Sequence, residues 1–273
     1  MAASARMMWR RVRRAIELAD MVLEVVDARD PFGTRCREVE RLIRSMNKKL
    51  IIVINKADLV PRKILEEWKR VLEKEYPTVY LSAKHRLGTR KLWKVIKRHA
   101  PQLPVKVAVV GYPKVGKSTI INVIKGKSAA ETSPKPGATR AERLVSAATW
   151  LRLVDSPGVI PVREDEIDLA LKCIVPPEEL TDPVPPALEL IRRALAKRPE
   201  ALSEKYGFIH DDPHEFLVTL AKRRGLLGKG GEPLVHEAAK IVIRDWQAGE
   251  LVFYYTPKDY NLEIQQVASL ELA

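Results

Sequence analysis

Val105-Lys-Val-Ala-Val-Val-Gly111-Tyr-Pro-Lys-Val-Gly116-Lys117-Ser118-Thr119 is the stretch on which the fold turns. An apolar, strand-like run, Val105–Val110, leads into Gly-x-x-x-x-Gly-Lys-Ser, and a helix-competent run, Thr119–Lys125, follows. Strand, glycine loop and helix in that order form a phosphate-binding loop. The glycines let backbone N–H groups wrap phosphate oxygens, Lys117 reaches the β and γ oxygens, and Ser118 ligates Mg²⁺ at the helix start. Gly111, Pro113, Lys114, Val115, Gly116 and Thr119 complete the expected phosphate contacts.

A phosphate loop serves either purine nucleotide, so base-reading residues decide between them. Asn55-Lys56-Ala57-Asp58 directly follows a strand-like run, Leu50–Asn55. In this NKxD arrangement the Asp58 carboxylate accepts from N1–H and the exocyclic amine of guanine, a pattern adenine does not present. Ser82-Ala83-Lys84 ends a second run, Thr78–Ser82, and its backbone N–H is placed to donate to guanine O6. Asp155-Ser-Pro-Gly158 closes a third, Trp150–Asp155. There the aspartate orders Mg²⁺ through water and the glycine N–H meets the γ-phosphate. Between this element and the phosphate loop, Thr139 is the candidate for the switch threonine that closes on Mg²⁺. The expected catalytic residues are therefore Lys117, Thr139 and Gly158, and the metal set is Ser118, Thr139 and, through water, Asp155.

Outward from these motifs, strand-like runs alternate with amphipathic stretches. Val22–Asp27 adds a strand, while Arg37–Met46, Arg62–Glu75 and Thr89–His99 carry apolar residues at three-to-four spacing. The expectation is an α/β domain with a mostly parallel, doubly wound sheet, and Leu144–Ala147 as an antiparallel addition. After about Glu164 the strand runs stop. Glu166–Cys173, Ala187–Ala196, His214–Lys222 and Leu234–Trp246 read as helices, with irregular segments at Pro176–Pro186 and Gly225–Gly231. The chain thus divides into an α/β domain over 1–164 and a smaller α-helical domain over 165–273.

In Ras-like GTPases the phosphate loop precedes NKxD and SAK, whereas here the base-reading motifs come first. Joining a domain's old termini and opening new ones elsewhere produces that order, with the join here at His99–Pro104. The break falls just after the Asp155–Gly158 element, so the γ-phosphate sensor runs straight into the helical half.

Composition narrows the partners. The 273 residues carry a formal charge of +13. The excess clusters at Arg6–Arg14, Arg35–Lys49, Lys84–Lys106 and Lys222–Arg224, as in proteins that displace counterions from nucleic acid. Two cysteines, Cys36 and Cys173, are too few for a disulfide framework or zinc site and fit a reducing cytosol. No apolar run approaches the roughly 20 residues of a membrane span.

The permuted order, with Asp27-Ala-Arg-Asp-Pro31 after the first strand, strongly resembles the YlqF/YawG group of circularly permuted GTPases that assist large-ribosomal-subunit assembly. The resemblance implies GTP hydrolysis coupled to binding and release of a large-subunit precursor, Mg²⁺ as cofactor, and GTP, GDP and large-subunit rRNA as partners of a cytoplasmic monomer. Arg224-Gly225 and Ile243-Arg-Asp-Trp246 with Gly249 resemble the family's C-terminal helical region, implicated in rRNA contact. Two departures stand out. Lys114 replaces the usual asparagine that helps hold K⁺: either its ammonium occupies the potassium site and makes hydrolysis indifferent to K⁺, or it points to solvent or RNA. No histidine precedes His85, and Val159 and Ile160 follow Gly158 where Ras carries its water-positioning glutamine, so slow turnover awaiting a ribosomal activator is expected. The alternative, a GTPase serving tRNA or rRNA modification, would need a reactive residue such as a cysteine, and neither Cys36 nor Cys173 has suitable neighbours.

Overall fold

Every residue of β1 (Met21–Asp27) is buried, as a central strand covered on both faces requires. Its side chains alternate between two cores. Met21, Leu23 and Val25 enter one with Ile51, Val53 and Val107; Val22 and Val26 enter the other with Leu50, Ile52 and Ile54. The computed structural model describes residues 2–128, 144–154 and 165–262.

β2 (Lys49–Asn55) and β3 (Thr78–Tyr80) extend the sheet to one side of β1, and β4 (Val105–Val110) adjoins it on the other. β5 (Leu144–Ala148) and β6 (Leu151–Val154) complete the order β3-β2-β1-β4-β6-β5. All pairings are parallel except β5 with β6, so the mostly parallel sheet and its antiparallel addition are as expected. Asp27 lies opposite Asn55 in the β1–β2 register, which sets the two strand ends beside each other at the carboxyl edge, where such sheets place ligands.

α1 (Ala2–Leu18), α2 (Arg37–Ser45) and α3 (Arg62–Glu73) cover one face, and α4 (Thr89–His99) and α5 (Lys117–Ser128) the other. Each buries a short apolar stripe: Leu65, Trp68 and Leu72 on α3, Leu92, Trp93 and Ile96 on α4. A separate core joins α6 (Glu166–Leu171), α7 (Val184–Lys197), α8 (Glu200–Tyr206), α9 (Pro213–Arg223) and α10 (Val235–Ala248). Asp165 and Asp212 accept backbone N–H bonds at the starts of α6 and α9, the usual role of a capping aspartate. Gly249, left-handed at φ +79°, ends α10.

Three features depart from the sequence reading. α1 and α8 form where no helix was expected. Ser82 lies beyond β3, bridged to Leu87 across a tight loop. The C-terminal segment 254–262, assigned by sequence to the helical half, packs back against α3 and the residues that follow β1. Trp68 Nε1 donates to the Tyr255 carbonyl at 2.8 Å, and the Tyr260 hydroxyl donates to the Asp30 carboxylate at 2.7 and 2.8 Å. Tyr260 also meets Phe32, ring centroids 4.8 Å apart. Among the described residues no helix is long and apolar enough to cross a membrane.

Candidate functional site

Asn55, at the end of β2, is buried and holds two loops with one amide. Its Nδ2 donates to the Val115 carbonyl in the phosphate loop at 2.8 Å, and its Oδ1 accepts from the Ala83 N–H at 3.0 Å. The NKAD loop also reaches the SAK strand directly, Ala57 N–H donating to the Leu81 carbonyl at 3.1 Å. Asn55, Ser82, Ala83 and Val115, scattered over the sequence, therefore converge at the carboxyl edge. The Ala83 amide is committed to Asn55 rather than left for a base, a detail the sequence reading did not resolve.

The two glycines of the phosphate loop are fixed by close backbone approach. A Cβ on Gly111 (φ +142°) would stand 2.4 Å from the Val25 carbonyl of β1, and one on Gly116 (φ +100°) would stand 2.1 Å from Asn55 Nδ2. Any side chain at Gly116 would push out the asparagine that ties the loops together. Ser118 and Thr119 are exposed on the first turn of α5, whose N-terminus offers unpaired amides and a positive dipole end to an anion.

Lys117 is half-buried, its Nζ donating to the Tyr112 carbonyl at 2.5 Å. Burial pushes its ammonium down to about 8, because taking a cation out of water disfavours the charged form. Lys114 turns the other way. In the left-handed region at φ +58°, it donates through Nζ to Gln247 Oε1 on α10 at 2.6 Å, so its ammonium is engaged by the helical half, a place neither the potassium-site expectation nor solvent exposure anticipated.

Lys56, also left-handed at φ +63°, donates to Asp27 Oδ2 at 2.6 Å. The same carboxylate takes the Arg29 guanidinium through both oxygens, at 3.0 Å from Nε and 2.8 Å from the terminal nitrogen. Burial alone would raise the Asp27 carboxyl, but the Arg29 and Lys56 cations outweigh it and hold it far below the usual carboxylate range. Arg29 is itself buried, stacks 3.9 Å from the Trp246 ring and donates to the Trp246 carbonyl at 2.5 Å. Trp246 Nε1 then donates to the Leu171 carbonyl at 2.8 Å, and Gln247 Nε2 to the Ala170 and Val175 carbonyls at 3.1 and 2.8 Å. Two adjacent residues of α10 thus touch the NKAD side, the phosphate loop and the end of α6.

The Ile243–Trp246 stretch, likened above to the family's C-terminal helical region, lies within α10. Ile243 and Trp246 are buried in the helical core, and Arg244 pairs with Glu178. Gln247 carried no signal in the sequence. Asp58 Oδ2 lies 3.6 Å from His85 Nε2, with His85 half exposed, which sets the imidazole beside the carboxylate of the NKAD motif. Lys84 is exposed and Pro113 half-buried. Thr139, Asp155 and Gly158 lie outside the described residues. Cys36 and Cys173 are both buried, and burial pushes the Cys36 thiol up to about 12, unsuited to nucleophilic duty.

A phosphate loop bound to NKAD and SAK loops at the carboxyl edge of a parallel sheet defines a guanine-nucleotide-binding P-loop protein, with its base-reading loops placed ahead of its phosphate loop. The comparisons agree with that split. The elongation factor Tu GTP binding domain matches residues 9–102, and the 50S ribosome-binding GTPase family matches residues 106–176. An uncharacterized GTP-binding protein of Methanocaldococcus jannaschii is 41% identical over 247 residues, covering 89% of this chain and 65% of its own length. Nucleolar GTP-binding protein 2 of Schizosaccharomyces pombe is 34% identical over 271 residues, covering 96% of this chain and 50% of its own. The chain thus spans between half and two thirds of these two relatives. Crystal structures of YlqF from T. maritima superpose with a TM-score of 0.66. The GNP-bound form is 26% identical and covers 92% of this chain and 98% of its own, and the GDP-bound form, 27% identical, covers 91% and 99%. In fold, motif order and these matches the chain is similar to the circularly permuted GTPases of the YlqF type.

Proposed function

We propose that this protein hydrolyses GTP to GDP and phosphate, with Mg²⁺, to time its binding to and release from a precursor of the large ribosomal subunit, acting as a cytoplasmic monomer. The family's hydrolytic chemistry, the names of the relatives and the +13 charge all favour this reading. The observation that carries it is the double attachment of α10: Trp246 to the Asp27–Arg29 pair and Gln247 to Lys114 of the phosphate loop. Through it, a change at the phosphates reaches the helical half without passing through the sheet.

Guanine is read by Asp58, with Asn55 and Lys56 holding the NKAD loop and Ser82, Ala83 and Lys84 forming the opposite wall. Gly111, Pro113, Lys114, Val115 and Gly116 wrap the phosphates, with Ser118 and Thr119 at the head of α5. Lys117, released from the Tyr112 carbonyl, neutralises the β and γ oxygens, where fixed donors stabilise developing charge. The exposed hydroxyl of Ser118 on that first turn is a hard oxygen donor of the kind Mg²⁺ selects, and Thr139 and Asp155, the latter through water, are proposed to complete the metal set. Held by these residues, Mg²⁺ would offset the negative charge of the phosphates. Thr139 and Gly158 are proposed to sense the γ-phosphate. Lys114 being engaged by Gln247 supports turnover that does not depend on K⁺. A division into a G domain over 1–164 and a helical domain over 165–273 is part of the same reading.

Steady-state GTP turnover with and without purified large subunits, beside crosslinking to cellular RNA in the GTP-analogue state, tests the proposal. Stimulation by subunits and crosslinks to large-subunit rRNA are expected. Unchanged turnover together with crosslinks confined to other RNA would overturn it.

A further inference from the structure

Between α4 and α5, a groove of about 410 Å³ opens on the face of the sheet opposite α3. Arg86, Arg90 and Lys94 line it, with Trp93 at its base and Val123 and Gly126 along the α5 wall. Neither helix contains an acidic residue: α4 reads TRKLWKVIKRH and α5 reads KSTIINVIKGKS. All three cations are exposed, and among the described residues no carboxylate pairs with any of them. On α7 and α3 some comparable groups are paired, Arg192 and Arg193 with Glu189, Lys69 with Glu73. Arg90 and Lys94 stand one turn apart on α4, where like charges repel.

Gly126 marks an open stretch of the wall. It sits inside a helix, where glycine weakens the structure, and its φ is not positive, so no backbone requirement explains it. A Cβ there would meet only an Arg86 terminal nitrogen, at the ordinary contact distance of 3.9 Å, so the wall beside that guanidinium has room for a larger side chain. Leu87, next to Arg86, is an exposed apolar tip at 61%.

We propose that the α4–α5 groove seats an RNA phosphate backbone, so that the protein grips RNA through its G domain as well as through its helical half. Unpaired cations in a concave site supply the counterion release that drives such binding. Because Arg86 follows the SAK loop by two residues, RNA held here lies next to the guanine-binding wall. The inference rests on the ribosomal reading above and locates its contact.

The test is fluorescence anisotropy of a labelled single-stranded RNA of roughly 20 nucleotides over a KCl series, using the full chain. Arg90→Glu/Lys94→Glu is expected to weaken RNA binding at least about tenfold and to flatten the slope of log Kd against log salt by about 1 to 2. Lys63→Glu/Arg70→Glu, exposed positions on α3 with the same charge change, is expected to weaken it less than about threefold. Gly126→Leu fills the groove without altering charge and is expected to weaken RNA binding while GDP affinity stays within about twofold of the parent, which also reports that each variant is folded. Equal losses in the α3 and α4 pairs, or unchanged binding in Gly126→Leu, would overturn the groove while leaving the ribosomal reading intact. Absence of RNA binding by the parent chain would overturn both. A loss seen only with phosphatidylserine vesicles and not with RNA would overturn the RNA assignment.

Discussion

The two attachments of α10 to the nucleotide loops lie one residue apart and differ in kind. At Trp246 the partner is Arg29, 1% exposed, ion-paired to Asp27 and stacked on the indole. At Gln247 the partner is Lys114, an exposed residue holding on by one ammonium. The first belongs to the folded core, because breaking it would strand a buried charge. The second costs little to open, and it sits on the Gly111–Ser118 loop. In the account proposed here, Trp246 is the pivot and Gln247 the latch.

Substitutions that separate pivot from latch should rank accordingly. Arg29→Met leaves Asp27 buried with Lys56 as its remaining cation and should cost about 3 kcal/mol in urea unfolding; a loss below about 1 kcal/mol would mean the pair is no pivot. Gln247→Leu withdraws the donor from the Ala170 and Val175 carbonyls and should cost about 1–2 kcal/mol. Lys114→Met should cost under about 1 kcal/mol and, combined with Gln247→Leu, should add nothing further, since one change already removes the contact. Full additivity would show that the latch is not made in solution.

The two lysines of the phosphate loop repeat the contrast, one turned outward to α10 and one turned inward. Burial lowers the inward one, Lys117, to about 8, and a bound phosphate must raise it again. GDP binding therefore takes up a proton wherever Lys117 starts neutral. Below pH 8 the ammonium is already charged and affinity is flat; above it, affinity falls as pH rises. At pH 8, calorimetry in buffers of different ionisation heat should register an uptake of about half a proton. Zero uptake would place Lys117 in water rather than against Tyr112.

The sheet and its loops were legible because parallel strands end at one edge, and each motif follows a strand run in sequence: Val105–Val110 before Gly111, Leu50–Asn55 before Lys56. The helical attachments were not legible. Arg29 meets Trp246 across 217 residues and Lys114 meets Gln247 across 133, and contacts at such separations leave no periodic trace. Trp246 drew notice only as part of a family-like string, which said nothing of the buried indole's partner. α1 was hidden for a local reason: Arg10, Arg11, Arg13 and Arg14 interleave with the stripe of Val12, Ala15, Ile16 and Ala19 that reaches the core. Tyr255 and Tyr260 lie past the last amphipathic run, so nothing local placed them on Trp68 and Asp30.

The central claim, that Asn55, Asp58, Ala83 and the 111–118 loop build one guanine site from shuffled pieces, is tested most directly by calorimetric titration with GDP and ADP in the presence of Mg²⁺. GDP should bind at least about a thousandfold tighter than ADP, and Asp58→Asn should transfer that preference to xanthosine diphosphate. Equal affinity for GDP and ADP, or an Asp58→Asn variant that still prefers guanine, would contradict the account.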